Sequence, residues 1–233
     1  RVFLFLSFIL ILLTNNYFSF EESIYFGARD GADYYLIADK LDKIPPETLQ
    51  YHKAWRFVVP ALIGIIAELL NLDIYFVFRI FTIIACLSTL VFFSLILQKL
   101  KIDNFHNFFL TSLLIFNPYL FRFYLAMPTM LNDIVFINSG LLIILGIIEK
   151  KKSFFYFGFF LALITRQNSI FFFLSLIISK LIFKKNSLIT LKDIIFITLL
   201  TLLLFSINNK FANYYTFYND AYSLINRFHL FTL

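Results

Sequence analysis

Long apolar runs separated by short polar breaks are the main feature of this sequence. A straight transmembrane helix needs about 20 mostly apolar residues, within a range of about 17–25. The apolar runs cover residues 2–13, 74–97, 107–121, 131–148, 153–165, 168–183 and 191–207. The pattern predicts an all-α, multi-pass transmembrane helical bundle with about seven spans.

Two of these runs, 153–165 and 168–183, are short for a span. They are separated by the polar sequence Arg166-Gln167-Asn168. One interpretation is a single broken pair of helices around this break. The other is two short spans in a locally thinned bilayer.

Composition supports a membrane protein over a soluble one. Of the 233 residues, 61% are hydrophobic, 15% are charged and 34 are Phe. A soluble domain has roughly 45–50% apolar and about 25% charged residues. The single Cys86 excludes an intramolecular disulfide and a cysteine-based zinc site.

The first apolar run has two interpretations. Arg1 precedes 12 apolar residues, which is typical of the core of a signal peptide. However, no small-x-small cleavage site follows, because the next residues are Thr14-Asn15-Asn16-Tyr17. We therefore favour an uncleaved first span.

Lysines in short connections predict the orientation in the membrane, because cytoplasmic loops are enriched in Lys and Arg. These lysines are Lys99 and Lys101, Lys150-Lys151-Lys152, and Lys184-Lys185. All three connections share one side only if the segment 56–70 does not cross. With Arg56, Pro60 and Glu68, that segment is predicted to be an interfacial or re-entrant helix.

The formal net charge of +6 could suggest a nucleic-acid partner, but in this topology the charges are distributed unequally between the two sides of the membrane. The cytoplasmic side carries ten of the 20 basic residues and three of the 14 acids, a net charge of +7, and the outside carries −1. The basic excess therefore indicates orientation in the cell (inner) membrane, with no nucleic-acid partner. The first long loop, 21–73, is predicted to be external or periplasmic.

That loop contains one helical pattern. Apolar Tyr34, Ile37, Ala38 and Leu41 recur at helical spacing, and Pro45-Pro46 would end the helix. We expect an amphipathic helix lying flat on the membrane, with its apolar face in the headgroup boundary. The module would then comprise residues 1–208, followed by an external segment, or the start of a further region, at 209–233.

Asp30 and Asp33 flank the start of this helix and allow two interpretations. The first is structural: Asp30 would be the N-cap, and Asp33 would lie near the positive end of the helix dipole. The second is functional: a carboxylate would face an apolar groove at the membrane surface. The two roles are compatible for different members of the pair.

Three arginines at span boundaries form a second constellation: Arg79, Arg122 and Arg166. Arginine at membrane depth is costly unless its charge reaches the interface or meets an anion. Taken singly, each is typical of a snorkelling anchor. Three on the predicted external side, beneath an acidic loop, favour a lipid-linked phosphate.

Several short motifs occur in a fixed order along the spans. Asp30 is followed at four-residue steps by Tyr34 and Ala38, and Arg56-Phe57-Val58-Val59-Pro60 opens the next predicted helix. Further motifs are Arg79 near the start of the 74–97 run, Asn117-Pro118, and Thr165-Arg166-Gln167-Asn168. In this order they resemble the GT-C superfamily of integral membrane glycosyltransferases, in particular bacterial protein-mannosyltransferase-like and aminoarabinose-transferase-like families.

The resemblance implies sugar transfer from a polyprenyl-phosphate-linked donor to a glycan, lipid or protein acceptor. It implies Asp30 as the catalytic base, with Asp33 in place of the second acid that many relatives have where this chain has Gly31. The implied lipid-phosphate-binding residues are Arg79, Arg166 and Arg56. No cofactor is certain, because only some of these families need a divalent metal, which Asp30 and Asp33 would hold.

Family members are usually longer, so we expect the chain to be a fragment. Two other classes of protein remain as alternatives. A transporter or flippase would carry internal repeats and charges near the bilayer midplane, but no repeat is seen and only Asp133 is an acid near a span. A polysaccharide polymerase would place its key external loop later in the chain.

Overall fold

The computed structural model describes residues 2–15, 29–40, 49–182 and 190–215. These residues are helical apart from short connections, with no strand among them, so the predicted all-α class is confirmed for them. The helices are α1 (Val2–Thr14), α2 (Arg29–Lys40), α3 (Tyr51–Ala54), α4 (Val58–Leu70), α5 (Ile74–Lys99), α6 (Asn104–Phe116), α7 (Phe123–Ala126), α8 (Leu131–Ile148), α9 (Lys152–Thr165), α10 (Ser169–Ile182) and α11 (Leu191–Tyr215). A π-helical turn, Pro118–Arg122, joins α6 to α7, and a 3-10 turn, Pro128–Met130, precedes α8.

Four helical stretches in the described residues are long and apolar enough to cross a membrane. They are Ile74–Lys99, Asn104–Ala126, Pro128–Ile148 and Leu191–Tyr215, of 26, 23, 21 and 25 residues. Large apolar side chains are exposed along them, such as Leu199, Leu202 and Leu203 on α11. A water-soluble protein rarely exposes such contiguous apolar surface, which suggests a membrane protein.

The other apolar runs form shorter helices. Helix α1 has 13 residues, and α9 and α10 have 14 each, separated at Arg166 where the backbone is extended. The break therefore divides the predicted 153–183 region into two separate helices. The predicted number of seven spans is not confirmed, since four stretches reach the required length.

Aspartates begin two of the long helices. Asp73 is the N-cap of α5, where its Oδ1 accepts a hydrogen bond of 2.8 Å from the Phe76 amide. Asp103 caps α6 by accepting from the amides of Phe105 and His106 at 3.0 and 3.1 Å. Such caps satisfy amide groups that would otherwise lack partners at a helix start, and they fix where each helix begins.

Helices α8 and α9 form a closely packed antiparallel hairpin. An added Cβ at Gly158 would lie 2.8 Å from the Ser139 carbonyl oxygen, and one at Gly146 would lie 2.6 Å from the Phe155 amide nitrogen. Glycine at both positions thus lets the two backbones approach. Lys150, at φ 54°, forms the left-handed end of α8.

A buried polar contact joins α5 to α8 at the level of the spans. The Asn138 amide donates to the Ala85 carbonyl at 2.8 Å, and the Thr89 hydroxyl lies 2.8 Å from Asn138 Oδ1. In a membrane such interhelical hydrogen bonds contribute roughly 0.6 to 2 kcal/mol each. This contact fixes the register of α8 against α5.

Ion pairs hold the connections that contain the lysines close together at one end of the helices. Lys99 Nζ lies 2.5 Å from Glu149 Oε1, and Lys152 Nζ lies 2.7 Å from Asp193 Oδ2. These contacts join the ends of α5 and α8 and the starts of α9 and α11. The lysine connections predicted to share one side of the membrane therefore lie close together, apart from Lys184-Lys185, which lies outside the described residues.

Helix α2 differs from its prediction in two ways. It begins at Arg29, so Asp30 lies in the first turn and is not the N-cap. Its apolar face, with Tyr34 and Ile37 fully buried, packs in the protein core against α4 and not in the lipid headgroups. The reason is Gly64, whose missing side chain lets α4 approach the Ala38 backbone.

Other predicted features either lie outside the described residues or differ from the observed helix bounds. Leu41 and the Pro45-Pro46 stop lie outside the described residues. Helix α11 continues through Tyr215, so the predicted boundary at residue 208 falls within a helix. Residues 216–233 also lie outside the described part of the chain.

Candidate functional site

Asp30 and Asp33 converge on one buried lysine. Lys53 Nζ lies 2.7 Å from Asp33 Oδ2 and 3.5 Å from Asp30 Oδ1. The two acids lie one turn apart on α2, and Lys53 comes from the short helix α3, where it is 5% exposed. Helix α3 is held in turn by α11, because the Tyr51 hydroxyl lies 2.5 Å from Asn209 Oδ1.

Arg56 extends this cluster towards the protein interior. Its NH1 group lies 3.7 Å from Asp30 Oδ2 and donates a 2.9 Å hydrogen bond to the Tyr34 hydroxyl. Burial raises the pKa of Tyr34 to about 12, although the Arg56 charge opposes this shift. The phenol is therefore neutral at physiological pH, and it connects the ion pairs to the core.

A second acid–base pair lies beside the first group. Arg166, at the end of α9, binds Asp133 on α8 through NH2 and through Nε, which lies 3.1 Å from Oδ1. Asn132 connects the two groups by donating to the Arg56 carbonyl at 3.3 Å. The Asp133 charge also acts on the Tyr34 hydroxyl. Both groups therefore form one electrostatic unit.

We call this unit the charge cluster, consisting of Asp30, Asp33, Lys53, Arg56, Asp133 and Arg166. Its three acids and three bases balance each other. A buried set of charges is tolerated when the charges are paired in this way. Binding an anion or releasing a carboxylate would require one of these pairs to rearrange.

Arg79 has a different setting from the other predicted arginines. Its guanidinium lies 5.0 Å from the centre of the Tyr75 ring, one turn earlier on α5. With Phe76, Thr82 and Leu125 it lines a pocket of about 200 Å³. Arg79 therefore adjoins open space.

A divalent metal does not fit between Asp30 and Asp33 as they stand. The ammonium group of Lys53 binds both carboxylates and lies where a shared cation would lie. Among the described residues, no group of three or more His, Cys, Asp or Glu side chains could hold a metal ion. A metal at this pair would have to displace Lys53.

The structure thus brings together four of the five predicted site residues, Asp30, Asp33, Arg56 and Arg166. Lys53 and the pairing of Asp133 were missed. Lys53 lies in the polar stretch before Trp55, where no periodicity singles it out. Asp133 was noted only as an acid near a span, and its partner lies 33 residues away.

Sequence reasoning also missed a group of buried polar atoms around the cluster. Each is buried, with no hydrogen-bond partner in the described part of the chain: Trp55 Nε1, Arg56 Nε, Thr129 Oγ1, Asn132 Oδ1 and Ser169 Oγ. Leaving such a group unsatisfied costs about 1–3 kcal/mol. Native proteins contain few of them, so their concentration beside one charge cluster indicates a place where a ligand or water completes the bonding.

Comparison with known proteins does not assign the chain to a family. No family model, no curated protein and no solved structure matches the chain.

Proposed function

We propose that this protein is a membrane glycosyltransferase that moves a sugar from a polyprenyl-phosphate-linked donor to an acceptor on the external face. The supporting observation is the charge cluster. It assembles two carboxylates and two arginines, which the resemblance implied separately, at one end of helices that are suited to a bilayer.

The contacts favour Asp30 over Asp33 as the base. The nearest cationic nitrogen to Asp30 is 3.5 Å away, whereas Asp33 is held at 2.7 Å. The Asp30 side chain is also the more exposed of the two, at 30% against 23%. Asp30 is therefore the more accessible of the two to an acceptor hydroxyl, whose oxygen would attack the anomeric carbon with inversion as Asp30 takes its proton.

The leaving group in this reaction is a lipid phosphate, which is already a stable anion. It needs positive charge and no general acid, unlike the leaving alkoxide of glycoside hydrolysis. Arg166 is engaged with Asp133, and Arg56 with Tyr34 and Asp30. Arg79 lines an open pocket of about 200 Å³, which offers space for the phosphate beside a cationic side chain.

The proposed topology keeps about seven spans, with 21–73 outside and α4 not crossing. The contacts at the two ends of α4, Val58–Leu70, support this placement. Its first residues follow Arg56, whose carbonyl binds Asn132 at the start of α8. Its last residues lead directly to Asp73 at the start of α5. Both helix starts belong to the proposed external end.

Replacing Asp30 by Asn tests the proposal. Asn keeps the size and polarity of the side chain but cannot act as the base, so turnover should fall by roughly 100-fold or more while the protein stays folded. The assay is sugar transfer from polyprenyl-phosphate-linked donors in membranes containing the full-length protein. Asp39→Asn, an exposed change on the same helix, is the matched control.

The outcomes separate the two acids. Near-normal turnover of Asp30→Asn, with loss of turnover in Asp33→Asn, would assign the base to Asp33. Normal turnover in both variants would refute catalysis by this carboxylate pair. A wild-type protein without transfer from any lipid-linked sugar would overturn the proposed function.

A further inference from the structure

Three neutral polar residues lie beside the charge cluster and have unused hydrogen-bonding groups. We call them the neutral triplet: Thr129, Asn132 and Ser169. Each is at most 1% exposed. The hydroxyl oxygens of Thr129 and Ser169 and the Oδ1 atom of Asn132 have no hydrogen-bond partner within the described residues.

The neutral triplet is connected to the charge cluster through named contacts. Asn132 donates to the Arg56 carbonyl at 3.3 Å, and it directly precedes Asp133. The Ser169 amide donates to the Arg166 carbonyl at 3.2 Å. Thr129 lies in the turn that opens α8, one turn before Asn132. The three residues therefore come from two chain segments that also supply the Asp133–Arg166 pair.

The hydrogen-bonding chemistry of these atoms limits which class of ligand they could bind. Two hydroxyls both donate and accept, the amide oxygen accepts, and the neighbouring Arg56 Nε and Trp55 Nε1 can donate. The three side chains of the neutral triplet carry no charge, so they do not themselves favour a phosphate, which needs cations, or a divalent metal, which needs several anionic oxygens. They complement the hydroxyl groups of a sugar, which also donate and accept.

We propose that the neutral triplet is the sugar-recognition subsite and binds hydroxyl groups of the transferred sugar. This inference rests on the proposed function. The inference also extends the proposed function, because the residues that select the sugar are then distinct from those that bind the lipid phosphate. A bound sugar would also supply the hydrogen-bond partners that the hydroxyls of Thr129 and Ser169 lack within the described residues.

The test removes the two hydroxyls without changing side-chain shape much, in the double variant Thr129→Val/Ser169→Ala. Thermal unfolding in lipid nanodiscs is measured without ligand, with polyprenyl phosphate, and with a panel of polyprenyl-phosphoryl hexoses and pentoses. Thr111→Val is the control, because Thr111 is equally buried but its hydroxyl donates to the Asn107 carbonyl at 2.7 Å within α6.

For the wild type we expect at least one sugar-bearing lipid to raise the unfolding temperature more than polyprenyl phosphate does. The double variant should lose this extra shift, bind that lipid about tenfold more weakly, and keep its response to bare polyprenyl phosphate. Its unfolding temperature without ligand should not fall, since no internal hydrogen bond is removed. The control should keep both responses.

Three results would overturn the inference. If the double variant keeps the extra shift, the subsite is wrong while the proposed function stands. If the variant loses the response to bare polyprenyl phosphate as well, the neutral triplet does not act on the sugar. If no lipid in the panel stabilises the wild type beyond polyprenyl phosphate, the proposed function fails together with the subsite.

Discussion

Helix α2 carries both catalytic candidates, and its position depends on one glycine. Gly64 on α4 faces the backbone of Ala38, and a Cβ added to Gly64 would lie 2.0 Å from the Ala38 carbonyl oxygen and 2.8 Å from its carbonyl carbon. These are backbone atoms, so no side-chain rotation can relieve the clash. Replacing Gly64 by Ala must therefore move α2 away from α4.

The size of this effect can be worked out from the distances. Restoring a contact of about 3.2 Å requires a shift of roughly 1 Å, and overpacking of a close contact costs about 1–3 kcal/mol. Ala is favoured over Gly within a helix by about 1 kcal/mol, which offsets part of this cost. A net loss of about 0–2 kcal/mol would lower the unfolding temperature by up to about 8 °C. A 1 Å displacement of Asp30 would also reduce turnover by about 100-fold.

The measurement is thermal unfolding in nanodiscs, followed by the transfer assay. Gly140→Ala on α8 is the matched control, because its added Cβ would meet only Phe172 Cζ at an ordinary distance of 3.6 Å. That variant should be neutral or more stable than the wild type. If Gly64→Ala is as stable and as active as Gly140→Ala, the close contact between α2 and α4 is not a feature of the folded protein.

Two further predictions concern topology and pH. With Cys86 replaced, a cysteine at position 151 should resist an impermeant external reagent in intact cells; labelling there would reverse the proposed orientation. Since burial raises the pKa of Tyr34 to about 12 from its usual 10, stability from its protonated form is complete below pH 10 and is lost as the pH rises towards 12. Unfolding temperature should fall more steeply over this interval in the wild type than in Tyr34→Phe, and parallel curves would contradict the assignment.

The long helices were predictable because the residues at which each begins and ends are marked by the ends of an apolar run in the sequence. The apolar run 131–148 coincides with α8, Leu131–Ile148, and the run 74–97 differs from α5 only at its C-terminal end. The apolar face of α2 was also predicted from the helical spacing of Tyr34, Ile37 and Ala38. What this face contacts was not predictable, because a buried apolar face has the same pattern against protein as against lipid.

The pairing within the charge cluster could not be derived from the sequence. Lys53 follows Asp33 by 20 residues, and Arg166 follows Asp133 by 33. Both distances are set by how helices pack, and no periodicity or motif encodes them. The sequence therefore indicated acids and arginines suited to a lipid-linked phosphate. That these acids and bases form ion pairs with one another is seen only in the three-dimensional structure.

The contacts of α11 have a consequence for how the protein is made. Four contacts tie the segment around α3 to this last described helix: Leu49 with Tyr215, Tyr51 with Asn209, Trp55 with Phe205, and Phe57 with Phe211. Chains fold from the N-terminus during synthesis. Asp30 and Asp33 thus emerge from the ribosome early, but Lys53 gains its support only after α11 has been inserted. A nascent chain that ends before α11 would contain most of the helices but would lack the contacts that hold the segment around Lys53, so the charge cluster would be completed only late in synthesis.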